Sequence, residues 1–317
     1  MSIRGAVECL LSFSGECNFV VAYSGGVDSH VLLHLLAHQK NVTAVHVNHQ
    51  LNPKSNVWAA HCEKICDELE IPLSIEKATI ELKPGDSLEE KAREARYAIL
   101  KRYVDKSSVL VTAHNLNDQA ETFLFQALRG AGTKGLSAMP VKKIFGERFL
   151  IRPLLTVSRE DIEKYARENK LQWIEDDSNV DTKFNRNFLR HDIFPLLKTR
   201  FPKCMENFAR TARLMAEQET IISDIANADY QIVKKRAQQG VCTSEASLSV
   251  AELSQFSEAR QRLILREWFR KNNLRMPNEK HLKQIQKDVL TAAPDAHPKF
   301  KLGDIILVRE RGFLKLI

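Results

Sequence analysis

The chain has 317 residues, of which 44% are hydrophobic and 27% are charged, as in an ordinary folded protein. This composition excludes a disordered or collagen-like chain, and the length predicts two or three domains. Lys and Arg number 47 against 40 Asp and Glu, a net charge of +7, and residues 201–317 hold 20 basic and 14 acidic side chains. A nucleic-acid partner and a merely solvated basic surface explain this basic excess equally well.

No apolar run approaches the ~20 residues that a membrane-spanning helix needs. The N-terminus leads into a short apolar patch that contains Glu8, so we expect no signal peptide, no membrane partner and a cytoplasmic protein. The six cysteines are scattered and form no Cys-x-x-Cys pair. We therefore expect reduced, buried thiols rather than a zinc or iron–sulfur site.

Strands and helices alternate along the first 150 residues. Short apolar runs predict strands, and apolar residues at helical spacing predict the helices between them. The predicted strands are 19–23, 43–47, 73–75, 109–113 and 149–151, and the predicted helices are 27–38, 55–69, 87–103 and 118–128. This alternation predicts an α/β fold with a doubly wound, mostly parallel, Rossmann-like sheet.

The pattern changes after Pro202. A long helical stretch (207–239) precedes a loop-like segment (241–249), two helices (257–272 and 278–290) and three short strands (299–302, 305–308 and 313–316). We therefore predict an α/β domain over residues 1–205, a helical connector over 206–240 and a smaller α+β domain over 241–317.

Residues 24–29 (Ser-Gly-Gly-Val-Asp-Ser) lie between a predicted strand and a predicted helix. Paired glycines let the backbone approach an oxyanion, and the turn and helix N-terminus present N–H groups to phosphate. The segment is neither a G-x-G-x-x-G fingerprint nor a Walker loop. A carboxylate beside phosphate is repelled unless a cation lies between them, so Asp28 suggests Mg²⁺. The plainer alternatives are a tight turn capped by Ser24 and an aspartate that complements the helix dipole.

Two more polar segments, 48–49 and 114–118, also follow predicted strands. Ligands of open α/β sheets bind at the carboxyl ends of the strands. We therefore expect these two segments and residues 24–29 to converge on one edge of the sheet.

Residues 24–29 resemble the pyrophosphate loop (PP-loop) of the N-type ATP pyrophosphatases, which cleave ATP between the α and β phosphates and adenylate an acceptor. Further segments resemble one family of that group, the tRNA(Ile)-lysidine synthetases. They are residues 46–51, 92–97, 116–122, 129–140, 152–155 and 175–190. The resemblance runs in order over residues 18–200. The loop alone is typical of the superfamily, whereas the combination of segments is specific to the family.

The resemblance implies a ligase that adenylates the C2 oxygen of the wobble cytidine in an isoleucine tRNA with a CAU anticodon. ATP and Mg²⁺ are implied, with release of pyrophosphate. Free L-lysine then attacks C2 through its ε-amine and displaces AMP, which gives lysidine. The smaller C-terminal domain is implied to bind tRNA. The sequence leaves the oligomeric state open, a homodimer included.

Two alternatives stay open. Thiolation of tRNA by a related enzyme would need a catalytic cysteine pair, and Cys204 and Cys242 form no recognisable one. A nucleotide-gated RNA-binding protein without turnover would not need Asp28, Asp118 and Glu121 together.

The resemblance also implies roles for particular residues. The implied catalytic residues are Asp28, Asp118, Glu121 and Arg186. The implied ATP-binding residues are Ala22, Ser24, Gly25, Gly26, Val27, Asp28, Ser29, His49 and Arg96. Asp118 and Glu121, three apart and so on one helical face, are implied to bind lysine, and Asp28 and Asp118 to hold Mg²⁺. Without the resemblance, acidic residues in a first helical turn are better explained by the helix dipole.

Weaker predictions concern basic residues. The candidate tRNA contacts are Arg93, Lys134, Arg190, Lys234, Lys235 and Arg236, with Arg260, Arg262, Arg266, Arg270 and Lys271 in the C-terminal region. Each alone is more often a solvated charge. Of Arg186 and Arg190, we expect Arg186 to be the more functional, near the α-phosphate.

The sequence departs from the family at one pair of positions. The commoner pattern has His-His where this chain has His114 and Asn115. Asparagine does not titrate, so a role that requires a second imidazole is in question. Some members also carry another C-terminal domain after the point at which this sequence ends.

Overall fold

A computed structural model describes residues 3–14, 17–39, 41–175, 182–239, 247–293 and 296–317. The chain divides into two compact units, Met1–Ala216 and Glu217–Ile317. The first unit holds a six-stranded sheet and the second a four-stranded sheet.

Strands and helices alternate in the first unit. Its strands are β1 (Asn18–Ala22), β2 (Val42–Asn48), β3 (Leu73–Lys77), β4 (Ser108–Val111), β5 (Lys142–Phe145) and β6 (Arg148–Ile151). Its helices are α1 (Ile3–Ser14), α2 (Val27–Leu36), α3 (Ser55–Glu68), α4 (Leu88–Lys101), α5 (Leu116–Leu128), α6 (Thr133–Leu136), α7 (Arg159–Glu168), α8 (Asn185–Phe188) and α9 (Phe194–Arg200). A 3₁₀ turn (Pro153–Thr156) and a π-helical turn (Leu189–Ile193) complete it. Helix α10 (Cys204–Gln239) begins in this unit and ends in the second.

The sheet of the first unit has the order β3-β2-β1-β4-β6-β5. All neighbouring pairs are parallel except β5 with β6, which is antiparallel. The predicted doubly wound, mostly parallel α/β sheet is therefore confirmed. The strand order reverses between β1 and β4, and such a switch point is where open α/β sheets bind ligands.

Both faces of this sheet are covered. Along β1, Val21 packs into a cluster with α1, α2 and α3, whereas Val20 packs on the opposite face with Leu100 of α4. Successive side chains of a strand point to opposite faces, so a strand covered on both sides needs an uninterrupted apolar run. That requirement explains why the central strands were visible in the sequence as apolar runs.

The structure differs from the predicted elements of the first unit at one strand, one helix start and several unassigned helices. Strand β5 was not predicted, because Lys142 and Lys143 are exposed on an edge strand and leave no apolar run. Helix α5 begins at Leu116 rather than at residue 118, because Asn115 caps it. No helix was predicted from the sequence at the positions of α1, α6, α7, α8 and α9. The predicted cap of α4 is present, since the Ser87 side chain accepts from the Glu90 N–H.

The second unit is a small α+β fold. It contains β7 (Leu248–Ser249), α11 (Val250–Leu253), α12 (Glu258–Lys271), α13 (Glu279–Ile285), a π-helical turn (Gln286–Leu290), β8 (Lys299–Leu302), β9 (Ile305–Glu310) and β10 (Phe313–Leu316). The sheet order is β7-β10-β9-β8, all antiparallel. The predicted helices and three strands are confirmed. Within the predicted loop 241–249, however, Leu248 and Ser249 form a strand, and residues 241–246 lie outside the described part.

The core of the second unit is built around aromatic side chains. Trp268 and Phe269 of α12 are fully buried with Leu282 and Leu314. None of the described helices, α10 included, combines the length and apolarity that crossing a bilayer requires.

Candidate active site

The loop of residues 24–29 joins β1 to α2 at the switch point of the sheet. Gly25 has φ +83°, and a Cβ there would lie 2.5 Å from Ile174 Cδ1 and 2.9 Å from Cys62 Sγ, so only glycine fits. The Ile174 N–H donates to the Gly25 carbonyl at 3.0 Å. The Ser29 hydroxyl donates to the Gly26 carbonyl at 2.9 Å and lies 3.0 Å from the Ser24 hydroxyl. The loop is thereby held at the N-terminus of α2, where backbone N–H groups favour an anion.

A cavity of about 250 Å³ opens beside this loop, and we call it the first cavity. It is lined by Ala22, Tyr23, Ser24, Gly26, Asp28, Ser29, Val45, Val47, His49, Arg96, Tyr97, Leu100, Thr112, Ala113, His114 and Asp118. Seven of the nine predicted ATP-binding residues are in this lining. The other two are Gly25, which lies behind the loop against Ile174, and Val27, whose side chain is buried in the core.

The basic side of the first cavity contains two histidines and an arginine. The His114 Nδ1 lies 2.9 Å from the Thr112 hydroxyl, and burial, with Arg152 and Arg96 adding to it, lowers the pKa of His114 to about 3. His114 is therefore neutral at physiological pH. The His49 Nδ1 is buried without a hydrogen-bond partner among the described residues. Burial also lowers the pKa of Arg96, and its guanidinium lies 5.5 Å from the Tyr97 ring centre.

Asp28 forms the acidic side of the first cavity together with Asp118. Its Oδ1 accepts from Asn115 Nδ2 at 3.1 Å, and its Oδ2 accepts from Arg159 NH1 at 2.5 Å. Burial raises the pKa of Asp28 to about 6, although Arg159 opposes the rise, and Asp118 raises it further. The carboxylate is thus ionised at neutral pH but held at a cost that a cation would relieve.

Glu121 and Asp118 share one guanidinium. Glu121 is 1% exposed, and both of its oxygens accept from Arg190, at 2.8 and 2.9 Å. Asp118 accepts from Arg190 NH2 at 3.3 Å and from the Asn115 N–H at 2.9 Å, so it also completes the capping box of α5. Burial raises the pKa of Glu121, and Arg190 opposes this rise. The Asp118 carboxylate therefore caps α5 through one oxygen and pairs with Arg190 through the other.

The two arginines of the 185–193 segment have different surroundings. Arg190 binds the acidic pair, whereas Arg186 Nε lies 3.8 Å from Glu89 Oε1 in a half-exposed ion pair. Of the two arginines, Arg186 was expected from the sequence to be the more functional. The structure instead places Arg190 against the predicted lysine-binding residues. The contact of Arg186 with the α-phosphate stays a prediction. Residues 176–181 of the same family motif lie outside the described residues.

A second cavity of about 340 Å³ lies next to these acids. It is lined by Asn115, Asn117, Glu121, Arg159, Glu163, Arg190, His191, Phe194, Pro195, Lys198 and Met205. No role was predicted for Arg159 from the sequence. The Ser158 hydroxyl accepts from the Asp161 N–H and caps α7, so the sequence contained a signal for the start of this helix. Nothing in the sequence could show that Arg159 would reach Asp28, 131 positions earlier.

The acidic residues of the first cavity suit magnesium. No group of three His, Cys, Asp or Glu side chains in the described part of the chain is arranged to hold a metal ion. Asp28 and Asp118, however, line one cavity beside the phosphate-type loop. Mg²⁺ commonly takes one or two carboxylates and completes its octahedron with substrate phosphates and water. The donor set therefore fits Mg²⁺ bound together with a nucleotide.

The cysteines behave as small apolar residues where they are described. Cys62, Cys66 and Cys204 are buried free thiols, and Cys17 is half-buried. Burial raises the pKa of Cys62 to about 12, so this thiol stays protonated. The side chains of Cys9 and Cys242 lie outside the described part.

Family comparisons agree with this geometry. A family model described as a PP-loop domain matches residues 3–197, and one described as the TilS substrate binding domain matches residues 248–314. The chain is 44% identical over 315 residues to a tRNA(Ile)-lysidine synthase of Coxiella burnetii, covering 98% of this chain and 68% of that protein. The chain belongs to the tRNA(Ile)-lysidine synthase family. The tRNA(Ile)-lysidine synthase of one Vibrio cholerae strain is 42% identical, over 94% of this chain and 67% of that protein. The family predicted from the sequence motifs is therefore confirmed.

A solved structure with a similar fold is the U34-tRNA thiolase NcsA of Methanococcus maripaludis, with its [4Fe-4S] cluster. It has a TM-score of 0.54 and 19% identity, and covers 68% of this chain and 80% of that one. At that identity the likeness concerns the fold alone.

The candidate tRNA contacts of this family member are spread over the chain. Arg93 lies 5.0 Å from the Tyr97 ring centre, Lys134 is exposed on α6, and Lys234 is half-buried on α10. The side chains of Lys235 and Arg236 lie outside the described part.

The C-terminal arginines and lysine have mixed surroundings. Arg260 pairs with Asp229, Arg262 with Glu258, and Arg270 and Lys271 with Glu267, whereas Arg266 is exposed on α12. Four of these five cations therefore already serve ion pairs within the second unit.

Proposed function

We propose that this chain is an ATP-dependent ligase that joins L-lysine to C2 of the wobble cytidine in an isoleucine tRNA with a CAU anticodon. The observation that carries the proposal is the 44% identity to a lysidine synthase over 98% of the chain. The phosphate-type loop beside Asp28 and Asp118 supports the same chemistry. Thiolation is less well supported, since the likeness to a thiolase is limited to the fold.

ATP binds in the first cavity with its phosphates on the 24–29 loop. The α2 N-terminus and the hydroxyls of Ser24 and Ser29 donate to phosphate oxygens. Asp28 and Asp118 would hold Mg²⁺, which would neutralise part of the phosphate charge. The cytidine C2 oxygen forms a bond to the α-phosphorus, and the bond to the leaving pyrophosphate breaks. Arg186 and Arg96 stabilise the negative charge that develops there.

Lysine binds in the second cavity. Asp118 and Glu121 supply negative charge for its ammonium group, and the Arg190 bridge keeps these two carboxylates oriented. The ε-nitrogen forms a bond to C2 while the bond from C2 to the adenylate oxygen breaks, which releases AMP. The proton released by the amine passes to one of these two carboxylates, each of which accepts from Arg190 in the free protein.

The second unit contributes tRNA recognition, since residues 248–314 match the substrate binding domain of the family. We propose residues 1–205 as the catalytic domain, 206–240 as a helical connector and 241–317 as the tRNA-binding domain. The proposed phosphate contacts are Lys234, Lys235 and Arg236 in the connector, Arg266 in the tRNA-binding domain, and Arg93 and Lys134 in the catalytic domain. The reaction needs tRNA, ATP and lysine together, so we propose a cytoplasmic location.

The proposal is tested with radiolabelled lysine, ATP and an isoleucine tRNA transcript that carries CAU. A methionine tRNA transcript with the same anticodon is the matched control. We expect AMP release and lysine incorporation with the isoleucine transcript only. AMP release without lysine incorporation would contradict the ligase and direct attention to thiolation, and incorporation into both transcripts would contradict recognition beyond the anticodon.

A further inference from the structure

The two cavities meet at a wall of ion pairs. Asp28 and Asp118 line the first cavity, and Arg159 and Arg190 line the second. The bond from Arg159 NH1 to Asp28 Oδ2 crosses this wall. Any ligand that takes over Asp28 from one side therefore changes the partners of Arg159 on the other.

Both oxygens of Asp28 are already used. Oδ1 accepts from Asn115 and Oδ2 accepts from Arg159. Asn115 is 2% exposed, and its own side-chain oxygen accepts from the N–H groups of Asn117 and Asp118 as the cap of α5, so it is fixed. Arg159 has a long side chain that is 37% exposed. When a metal-bound nucleotide takes Asp28, the contact that gives way is the one to Arg159.

The released guanidinium keeps one anchor. Arg159 Nε donates to Glu163 Oε1 at 2.8 Å, four residues along α7. With Nε held there, the NH1 and NH2 groups become the free edge, and both Arg159 and Glu163 line the second cavity. Two parallel N–H donors on a planar guanidinium match a carboxylate.

The geometry points to Arg159 as the residue that couples the two cavities: nucleotide binding releases it from Asp28, and it then binds the carboxylate of the amino-acid substrate. This inference rests on the proposed function for the identity of that substrate as lysine. Unlike a static salt bridge, the Arg159–Asp28 pair of the free protein is broken when the nucleotide binds, because the cation bound with the nucleotide takes Asp28 from Arg159.

A coupling of this kind is reciprocal. If magnesium and nucleotide increase the affinity for lysine, lysine increases the affinity for the nucleotide by the same factor. A coupling of about tenfold is within the usual range for two linked sites. This increase in affinity requires the carboxylate of lysine. The affinity for 1,5-diaminopentane, which has both amines and no carboxylate, should therefore be the same with and without the nucleotide.

Calorimetric titration of the full chain tests this. L-lysine is titrated with and without Mg²⁺ and α,β-methylene-ATP, a non-hydrolysed analogue, and each nucleotide affinity is measured separately. For the wild type we expect lysine to bind about tenfold more tightly with the analogue present. Arg159→Gln should abolish this difference while binding Mg²⁺ and the analogue at least as tightly as the wild type, because the competitor for Asp28 is gone.

Two further variants sharpen the result. Arg167→Gln is the matched control, since Arg167 lies on the same helix, 3.7 Å from Glu163, and does not line the second cavity. It should retain the wild-type coupling. Arg159→Lys keeps the charge beside Asp28 but lacks the paired donors, so it should fold as the wild type and lose most of the coupling.

The inference is overturned if Arg159→Gln weakens binding of the analogue severalfold, since Arg159 would then merely position Asp28, or if the tenfold coupling persists in that variant. Failure of lysine to bind any form of the chain would count against the proposed function instead. In that case the nucleotide titration alone still tests whether nucleotide binding displaces Arg159 from Asp28. Undiminished binding of the analogue by Arg159→Gln supports this displacement, and weakened binding overturns it.

Discussion

Replacing Arg190 by methionine should destabilise the first unit strongly at neutral pH. Arg190 is the bidentate partner of Glu121, which is 1% exposed, and its loss leaves a buried carboxylate unpaired. Breaking such a pair costs 3–5 kcal/mol, and because the arginine side chain is 38% exposed we expect the lower end, about 3 kcal/mol. The assay is urea unfolding followed by circular dichroism.

The pH dependence of this loss has a definite sign. Burial already raises the pKa of Glu121 above 4.5, and without Arg190 it rises further. A raised pKa in the folded state means that stability is lost as pH rises, so the deficit of Arg190→Met should be largest at neutral pH and shrink towards pH 4.5.

Arg186→Met is the matched control for Arg190→Met. The Arg186 pair with Glu89 is 3.8 Å long and half-exposed, so its loss should cost less than about 1 kcal/mol. Adding Glu121→Gln to Arg190→Met should recover at least half of the lost stability, because the most deeply buried of the unpaired carboxylates is then neutral. Equal losses for the two arginine variants, or no recovery in the double variant, would show that the buried Glu121 charge is not the cause of the lost stability.

Four further outcomes are expected. Gly25→Ala should lower the melting temperature and weaken ATP binding because its Cβ would overlap Ile174, whereas Gly26→Ala, whose nearest neighbour is 3.6 Å away, should be tolerated; equal effects would contradict this. Asp28→Ala should abolish pyrophosphate release with an unchanged circular dichroism spectrum, and normal turnover would show that Asp28 does not hold a required metal ion. Magnesium-dependent nucleotide affinity should fall below pH about 6 as Asp28 becomes protonated, and a flat profile from pH 5 to 7.5 would oppose that assignment. Asn115→Ala should cost about 1 kcal/mol in urea unfolding through the lost cap, and no loss would deny the capping role.

Local and periodic features were predictable from the sequence. The apolar runs of the central strands follow from burial on both faces, and the segment 24–29 follows from the need for glycine at a phosphate-type turn. Edge strand β5 escaped prediction because its exposed lysines carry no apolar pattern. The early start of α5 escaped because an asparagine cap looks like any loop asparagine until its partners are known.

Asn115 shows how a departure from the family pattern is accommodated. In place of a second histidine, its amide caps α5 and donates to Asp28 at the same time. These contacts need one donor and one acceptor but no titrating group, so an asparagine satisfies them.

Local patterns and short motifs were enough to predict the fold class, the family and the chemical types of the candidate site residues. Which charges meet became visible only in the folded chain. Arg190 rather than Arg186 binds Glu121, and Arg159 reaches Asp28 from 131 positions away. The physical reason is that ion pairing depends on distances of a few ångströms between side chains, and these are set by how the sheet brings remote segments to one edge.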